Sequence, residues 1–256
     1  MTLAIETHQL TRYYNDFGAV RGINLTVERG TFYGFLGPNG AGKSTTIKML
    51  TGLLAPTSGQ VLVLGHNMLN TDEALQAKRR MGVIPEDLAL FDNLTAREYL
   101  TFVGRIHLMP RDTIRTRIDE LLALLDLQRD EKKLSLEYSH GMKKKLAMAA
   151  ALLPNPDLLF LDEPFEGVDA VTSRVIRDVL AHFVARGSTV FLTSHVLEIV
   201  ERLCTHVGII VKGELVEQTS LELLRQGSSL ESRFLEKVGA ENDTSRTLNW
   251  LEEAKS

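Results

Sequence analysis

The sequence predicts an α/β fold: a mixed, mostly parallel sheet, an N-terminal antiparallel β subdomain and an all-helical insert. Three observations lead there. Residues 2–36 are β-rich, with apolar residues at alternating positions. Further on, short apolar runs alternate with stretches of helical periodicity, the pattern of a parallel sheet covered on both faces. Between two of those runs, about 87–153 is occupied by strong helix formers with no strand of its own.

The elements follow in order. Ile23, Leu25 and Val27 alternate, then Phe32 and Phe35, while Asn15-Asp16 and Glu28-Arg29-Gly30 carry turn chemistry. Residues 43–54 read as a helix with Ile47, Leu50 and Leu54 on one face. Residues 61–64 and 82–84 read as short strands, and 96–108 and 113–127 as helices of the insert. From Asp157 the chain returns to strands: 158–161, then a helix over 171–184, a strand over 189–193 and a helix over 196–203. A hairpin of 207–211 with 214–216 turns at Lys212-Gly213. A main domain over 1–218 and a short helical extension over 219–256 are expected, the latter charged and weakly hydrophobic.

Composition excludes several classes. Of 256 residues, 44% are hydrophobic and 24% charged, enough for a packed core in an ordinary globular protein. The net charge of -4 gives no footprint for a polyanionic partner, so no nucleic acid is expected. Lys143-Lys144-Lys145 and Lys78-Arg79-Arg80 read as solvated helix faces. The lone Cys204 favours a reducing compartment. No signal peptide is visible, and the longest apolar stretch, 146–161, is broken by Pro154-Asn155-Pro156-Asp157, so the chain is expected to be soluble by itself.

Gly37-Pro38-Asn39-Gly40-Ala41-Gly42-Lys43-Ser44 completes the pattern G-x-x-x-x-G-K-[ST], between a strand and a helix. Glycines let backbone N–H groups converge on phosphate oxygens, and the helix N-terminus adds partial positive charge. Lys43 then neutralises the β- and γ-phosphates of ATP, the Ser44 hydroxyl ligates Mg²⁺, and Thr45 completes the nucleotide-binding run. The fold class is thus a P-loop NTPase core. Residues 158–161 lead into Asp162-Glu163, two acids at the carboxyl end of a parallel strand, where such sheets bind ligands. Asp162 is expected to hold Mg²⁺ through its water shell. Glu163, pointing another way along the strand, is expected to polarise the attacking water. His195 ends a third apolar strand and is placed to reach the γ-phosphate side.

In this order (phosphate loop, helical insert, Asp162-Glu163, His195) the chain resembles the nucleotide-binding subunit of an ATP-binding cassette (ABC) transporter over residues 3–217. The resemblance implies a serine–glycine signature before the helix that precedes the acid-ended strand. Here it reads Tyr138-Ser139-His140-Gly141-Met142 against the usual L-S-G-G-Q. Ser139 and Gly141, which touch a γ-phosphate in the family, are kept. The form Y-S-x-G-M-K is similar to that of subunits serving separate export-type permeases. It also implies that the turn Gly167-Val168-Asp169-Ala170 is the D-loop crossing a subunit interface. Tyr14 resembles the aromatic that stacks on adenine, although Tyr13 is adjacent and a turn aromatic packed on the sheet reads the same way. Where the family has a glutamine contacting Mg²⁺ and facing the permease, Pro85 is followed by Glu86, a carboxylate able to ligate the metal while adding charge beside the γ-phosphate.

Geometry independently favours a dimer. With Ser139 as N-cap, a helix of about fourteen residues spans about 21 Å, and the next strand returns Asp162 to the phosphate loop. The signature therefore lies far from its own nucleotide and serves a partner subunit's ATP, in a self-complementary two-fold pair. The expected function is an ATP-hydrolysing motor that dimerises around two ATP and drives a separate integral membrane permease, in export, from the cytoplasmic face of the membrane. Homodimer and heterodimer are both open. Alternatives are a soluble ABC-type ATPase acting on ribosomes or DNA, a non-hydrolysing scaffold, and a small-molecule kinase, which has no use for the signature. Trp250, on a possible short helix over 247–254, fits a dimer contact or a disordered tail equally.

Overall fold

The computed structural model describes residues 2–227 and 229–239. It contains two sheets. The first is antiparallel, in the order β2 (Phe17–Ile23), β1 (Leu3–Tyr14), β5 (Ser58–Val63), β6 (His66–Asn67), with β3 (Thr26–Glu28) also paired to β1. The second has six strands in the order β11 (Glu214–Ser220), β10 (His206–Val211), β4 (Phe32–Leu36), β9 (Thr189–Ser194), β8 (Leu158–Asp162), β7 (Met81–Ile84). All its pairings are parallel except β10 with β11. The fold is the predicted one.

The second sheet is buried on both faces, and the period-2 alternation of its strands sorts two cores. Tyr33, Phe35, Phe160 and Phe191 point to one face. Phe191 stacks on Tyr33 with centroids 5.5 Å apart and meets Phe35 at 5.4 Å and Phe160 at 5.7 Å. Helix α1 (Lys43–Leu50) and the first sheet cover this face through Ile47, Met49, Leu50, Ile5 and Val61. Phe32, Leu36, Leu159, Leu161 and Leu192 point the other way. They meet α5 (His140–Leu152), α6 (Ala170–Ala185) and α7 (Leu197–Leu203) through Leu146, Ile176, Leu180 and Val200. Helix α2 (Thr71–Lys78) packs beside β6, capped by Asn70.

Between β7 and β8 the chain is helical, as expected, with α3 (Ala96–Ile106) and α4 (Arg111–Leu124) preceding α5. A capping box of Thr95 and Glu98 starts α3, and these backbone and hydroxyl donors hold the Glu98 carboxyl below its usual range. Two expectations are corrected. Helix α1 stops at Leu50 rather than 54, because Gly52 takes a left-handed φ of +66° and breaks the run. Strand β11 runs to Ser220, past the expected limit at 216 and across the boundary at 218. Beyond it, α8 (Leu221–Arg225) and α9 (Leu230–Val238) bury Leu221, Leu224 and Leu230 in the core under α7. The apolar residues of that segment fall in two short groups separated by Gln226-Gly227-Ser228-Ser229, so they carry little periodic signal. The possible helix over 247–254, with Trp250, lies outside the described residues.

The four-ring cluster around Phe191 joins three neighbouring strands. Phe191→Ala is expected to lower unfolding free energy by about 3–5 kcal/mol, as for other buried phenylalanines. Leu136→Ala, at an exposed side chain, is expected to stay within about 0.5 kcal/mol. Urea denaturation of the two variants against the parent checks both.

Candidate active site

The site lies at the carboxyl edge of β4, β8 and β9. Leaving β4, the chain turns through Gly37–Ser44 into α1. Gly40 has φ +78° and Gly42 φ +110°, and a Cβ at Gly42 would lie 2.4 Å from the Ala19 carbonyl oxygen. Only glycine fits there. Gly42 caps α1 without a side-chain acceptor, and the first turn holds no acid, so its N–H groups and partial positive charge are left for an anion. A cleft of about 400 Å³ opens over this turn, lined among others by Tyr14, Asn39, Gly40, Lys43, Ser44, Thr45, Glu86, Glu163 and His195. A larger cavity, about 710 Å³ between α4 and α6, holds none of these residues, so chemistry and not size singles out the cleft.

Lys43 is 7% exposed. Its Nζ donates to the Gly37 oxygen at 2.8 Å and lies 3.6 Å from Glu163 Oε1. Glu163 Oε1 is 3.0 Å from His195 Nδ1. One carboxylate is thereby held between a buried ammonium and an imidazole at the mouth of the cleft. Asp162, the last residue of β8, accepts from the Thr193 hydroxyl at 2.5 Å. The Ser44 hydroxyl donates to Glu86 Oε2 at 3.3 Å. Ser44 and Glu86 are thus brought together from segments 42 residues apart.

Glu163 departs from the simple alternation of a strand. It has left β8 and takes a left-handed φ of +45°, unusual for a side chain with a Cβ. Two side chains hold it there. Its N–H donates to Thr193 Oγ1 at 3.1 Å, and its carbonyl accepts from Lys144 Nζ at 2.9 Å. Lys144 corrects the reading of the lysine run as a solvated face. It is 3% exposed, whereas Lys143 and Lys145 are half-buried. Lys78, Arg79 and Arg80 are exposed as expected, with Arg80 paired to Asp157.

The signature residues stand apart. Ser139 is the N-cap of α5, its Oγ accepting from the Met142 N–H at 3.3 Å. Ser139, His140, Gly141 and Met142 are not among the residues lining the cleft. They adjoin the turn of Gly167 instead. A Cβ at Gly141 would lie 3.8 Å from Asp169 Oδ2, and one at Gly167 3.1 Å from the His140 ring. Asp169 caps α6 by accepting from the Val171 and Thr172 N–H groups at 2.9 Å, and bonds to the Thr172 backbone and hydroxyl keep its carboxyl ionised to lower pH than usual. Tyr14 borders the cleft half-exposed, with the Arg12 guanidinium 4.8 Å from its ring centre, while Tyr13 is turned toward Gly18. Sequence reasoning missed Lys144, Thr193, Phe17, Ala19 and Glu166. The last three line the cleft, and none lies in a recognisable local pattern.

A glycine-rich turn between strand and helix, a buried lysine within it and a carboxylate pair at the end of the next parallel strand but one define a P-loop nucleoside triphosphatase. The family model described as ABC transporter matches residues 20–166. This chain belongs to that family, as an ATP-binding cassette with ATPase activity. The bacitracin transport ATP-binding protein BcrA of Bacillus licheniformis is 41% identical over 228 residues, 88% of this chain and 72% of that protein. The daunorubicin resistance ATP-binding protein DrrA3 of Streptomyces coeruleorubidus is 36% identical over 222 residues, 87% of this chain and 70% of that protein. A solved dimeric cassette in a post-hydrolysis state, bound to ADP and Pi, has a TM-score of 0.79 at 25% identity, covering 85% of this chain and 98% of that one.

Two outcomes are expected of this geometry. Thr193→Val strips the Glu163 N–H and Asp162 of their partner and is expected to destabilise by about 1–3 kcal/mol in urea titration. Glu86→Gln removes a negative charge beside Ser44. ATP is expected to bind about fivefold more tightly, matching about 1 kcal/mol for unit charges about 4 Å apart in water, with an altered Mg²⁺ dependence. Equal affinity and equal Mg²⁺ dependence in a nucleotide-binding titration would remove Glu86 from the site.

Proposed function

We propose that this chain is the motor subunit of an exporter, dimerising around two ATP molecules and driving a separate integral membrane permease from the cytoplasmic face. The observation that carries this reading is the division of the site. The phosphate loop, Glu163 and His195 share one cleft, while Ser139–Met142 cap a helix whose start lies outside it. A signature so placed acts on ATP only when a second subunit brings it there. The turn of Gly167 and Asp169 adjoins the signature, so both present one continuous surface to that partner.

Each residue then has a task. The turn from Gly37 through Pro38, Asn39, Gly40 and Ala41 to Gly42 wraps the phosphates with the backbone N–H groups of its non-proline residues, and Lys43, Ser44 and Thr45 complete the cradle. Tyr14 offers its open face to adenine, steadied from behind by Arg12. Glu163 polarises the attacking water and His195 orients that carboxylate. Ser44, Glu86 and Asp162 supply only oxygen donors, two of them anionic, a set that suits Mg²⁺. Bound there, the ion would neutralise phosphate charge. Lys43 gives up its contact with Glu163 when a γ-phosphate takes that place, which frees the carboxylate to face water.

A membrane partner is supported by the surface of the helical insert. Among the described residues no helix is long and apolar enough to cross a membrane, and this reading assigns the transport pathway to a separate permease. The insert exposes a patch of Phe91 and Phe102, ring centroids 5.3 Å apart, close in sequence to Glu86. Export is supported by the form of the motif from Tyr138 to Lys145 and by relatives named for bacitracin transport and daunorubicin resistance.

Glu163→Gln tests the reading. Turnover of ATP is expected to fall at least about 100-fold, the range of a lost general base, while ATP affinity holds. Light scattering with ATP is expected to show the variant accumulating as a dimer. The parent chain, captured from detergent-solubilised membranes, is expected to bring down one integral membrane protein. Undiminished turnover, or a monomer at saturating ATP, would overturn the assignment.

A further inference from the structure

Lys144 is a buried charge that the proposed hydrolysis does not use. It sits in the second turn of α5, three residues after Gly141, so the two share a helix face about 4.5 Å apart along the axis. Its side chain crosses from α5 to the end of β8, where Nζ donates to the Glu163 carbonyl at 2.9 Å. Burial lowers the pKa of this ammonium, and the charges of Glu166, Glu163, Glu86 and Asp162 oppose that shift. Removing one partner from such a buried charged contact is strongly unfavourable, so the contact acts as a stiff strut.

The strut ends on a strained residue. Glu163 has φ +45°, and its N–H is fixed on Thr193 of β9. The N–H is therefore tied to the sheet and the carbonyl to α5. Any shift of α5 against β8 and β9 turns the Glu163 peptide and re-aims its carboxylate relative to Lys43 and His195. The one part of α5 expected to feel a partner's nucleotide is its N-terminal cap, Ser139 to Met142.

We propose that Lys144 is a positioning residue that couples the signature end of α5 to Glu163 of the same subunit, so that engagement of the partner's ATP at Ser139 and Gly141 sets the carboxylate of the neighbouring site. This rests on the dimeric reading above. It makes each subunit's hydrolysis conditional on the nucleotide it holds in trans.

The test compares the full chain with Lys144→Met, which keeps the apolar stem out to the ε position but loses donor and charge, and with Lys144→Arg, which keeps both. ATP affinity is read with a fluorescent ATP analogue and turnover by phosphate release. Lys144→Met is expected to lower kcat at least tenfold with affinity within twofold, and Lys144→Arg to recover half or more of the parent rate. Combined with Ser139→Ala, Lys144→Met is expected to add little further loss in kcat, since both break one path. Additive losses, a parallel fall in affinity and kcat, or a parent-like Lys144→Met would overturn the proposal. If Lys144→Met does not fold, Lys144→Gln takes its place, with one neutral donor on a side chain one atom shorter, and the same outcomes decide. Glu163→Gln run alongside separates the two claims. Full turnover in that variant sinks the assigned base, whereas its loss together with a parent-like Lys144→Met sinks the coupling alone.

Discussion

The buried ammonium of Lys43 is the constraint around which the site is arranged. A charge so far from water needs close opposite charge and full hydrogen bonding, because the penalty for leaving it unpaired is several kcal/mol. Its partners are the Gly37 carbonyl behind it and the Glu163 carboxylate in front. The first comes with the loop itself. The second has to be carried in from a strand more than a hundred residues later, and that requires β8, β9 and β4 to end at one level. The parallel pairings of Leu36 with Ser194 and of Asp162 with Thr193 set that level.

Once the strand ends are aligned, the remaining features follow from satisfying what lies there. Thr193 answers both acids with one hydroxyl, donating to Asp162 and accepting from the Glu163 N–H. Lys144 answers the carbonyl left over where Glu163 turns out of the strand. His195, one residue beyond β9, closes on the same carboxylate from the solvent side. The site is therefore a sheet edge whose polar groups are paired by side chains from three directions, and the pairings tie Glu163 to different parts of the molecule. The tie to α5 joins it to the surface that a second subunit would meet.

How much of this was legible varies with how local each feature is. The phosphate loop is eight consecutive residues whose spacing dictates their geometry, and it stood where it was read. The placement of Asp162, Glu163 and His195 at strand ends was readable because apolar runs announce parallel strands. The fold class followed from the same alternation. Helix α1 was overextended because apolar spacing continues to Leu54 while Gly52 breaks the backbone. The packing of α8 and α9 was hidden because each helix is too short to show a clear period, although Leu221, Leu224 and Leu230 reach the core.

Lys144 marks the limit most clearly. Three lysines in a row are alike to any reading of composition, and a helix turns about 100° per residue, so one of them can face the core while its neighbours meet water. Which one does so depends on the rotation of α5 against β8. Leu146, Met148 and Ala149, buried in the same core as Leu159 and Leu161, decide that rotation. The sequence by itself determined the nucleotide cradle, the acids at the strand end and the alternation that places them, because those signals are contiguous or periodic. Only the tertiary structure decided that Glu163 is held left-handed between Thr193 and Lys144. Those contacts join residues 30 and 19 positions away, and no local pattern records them.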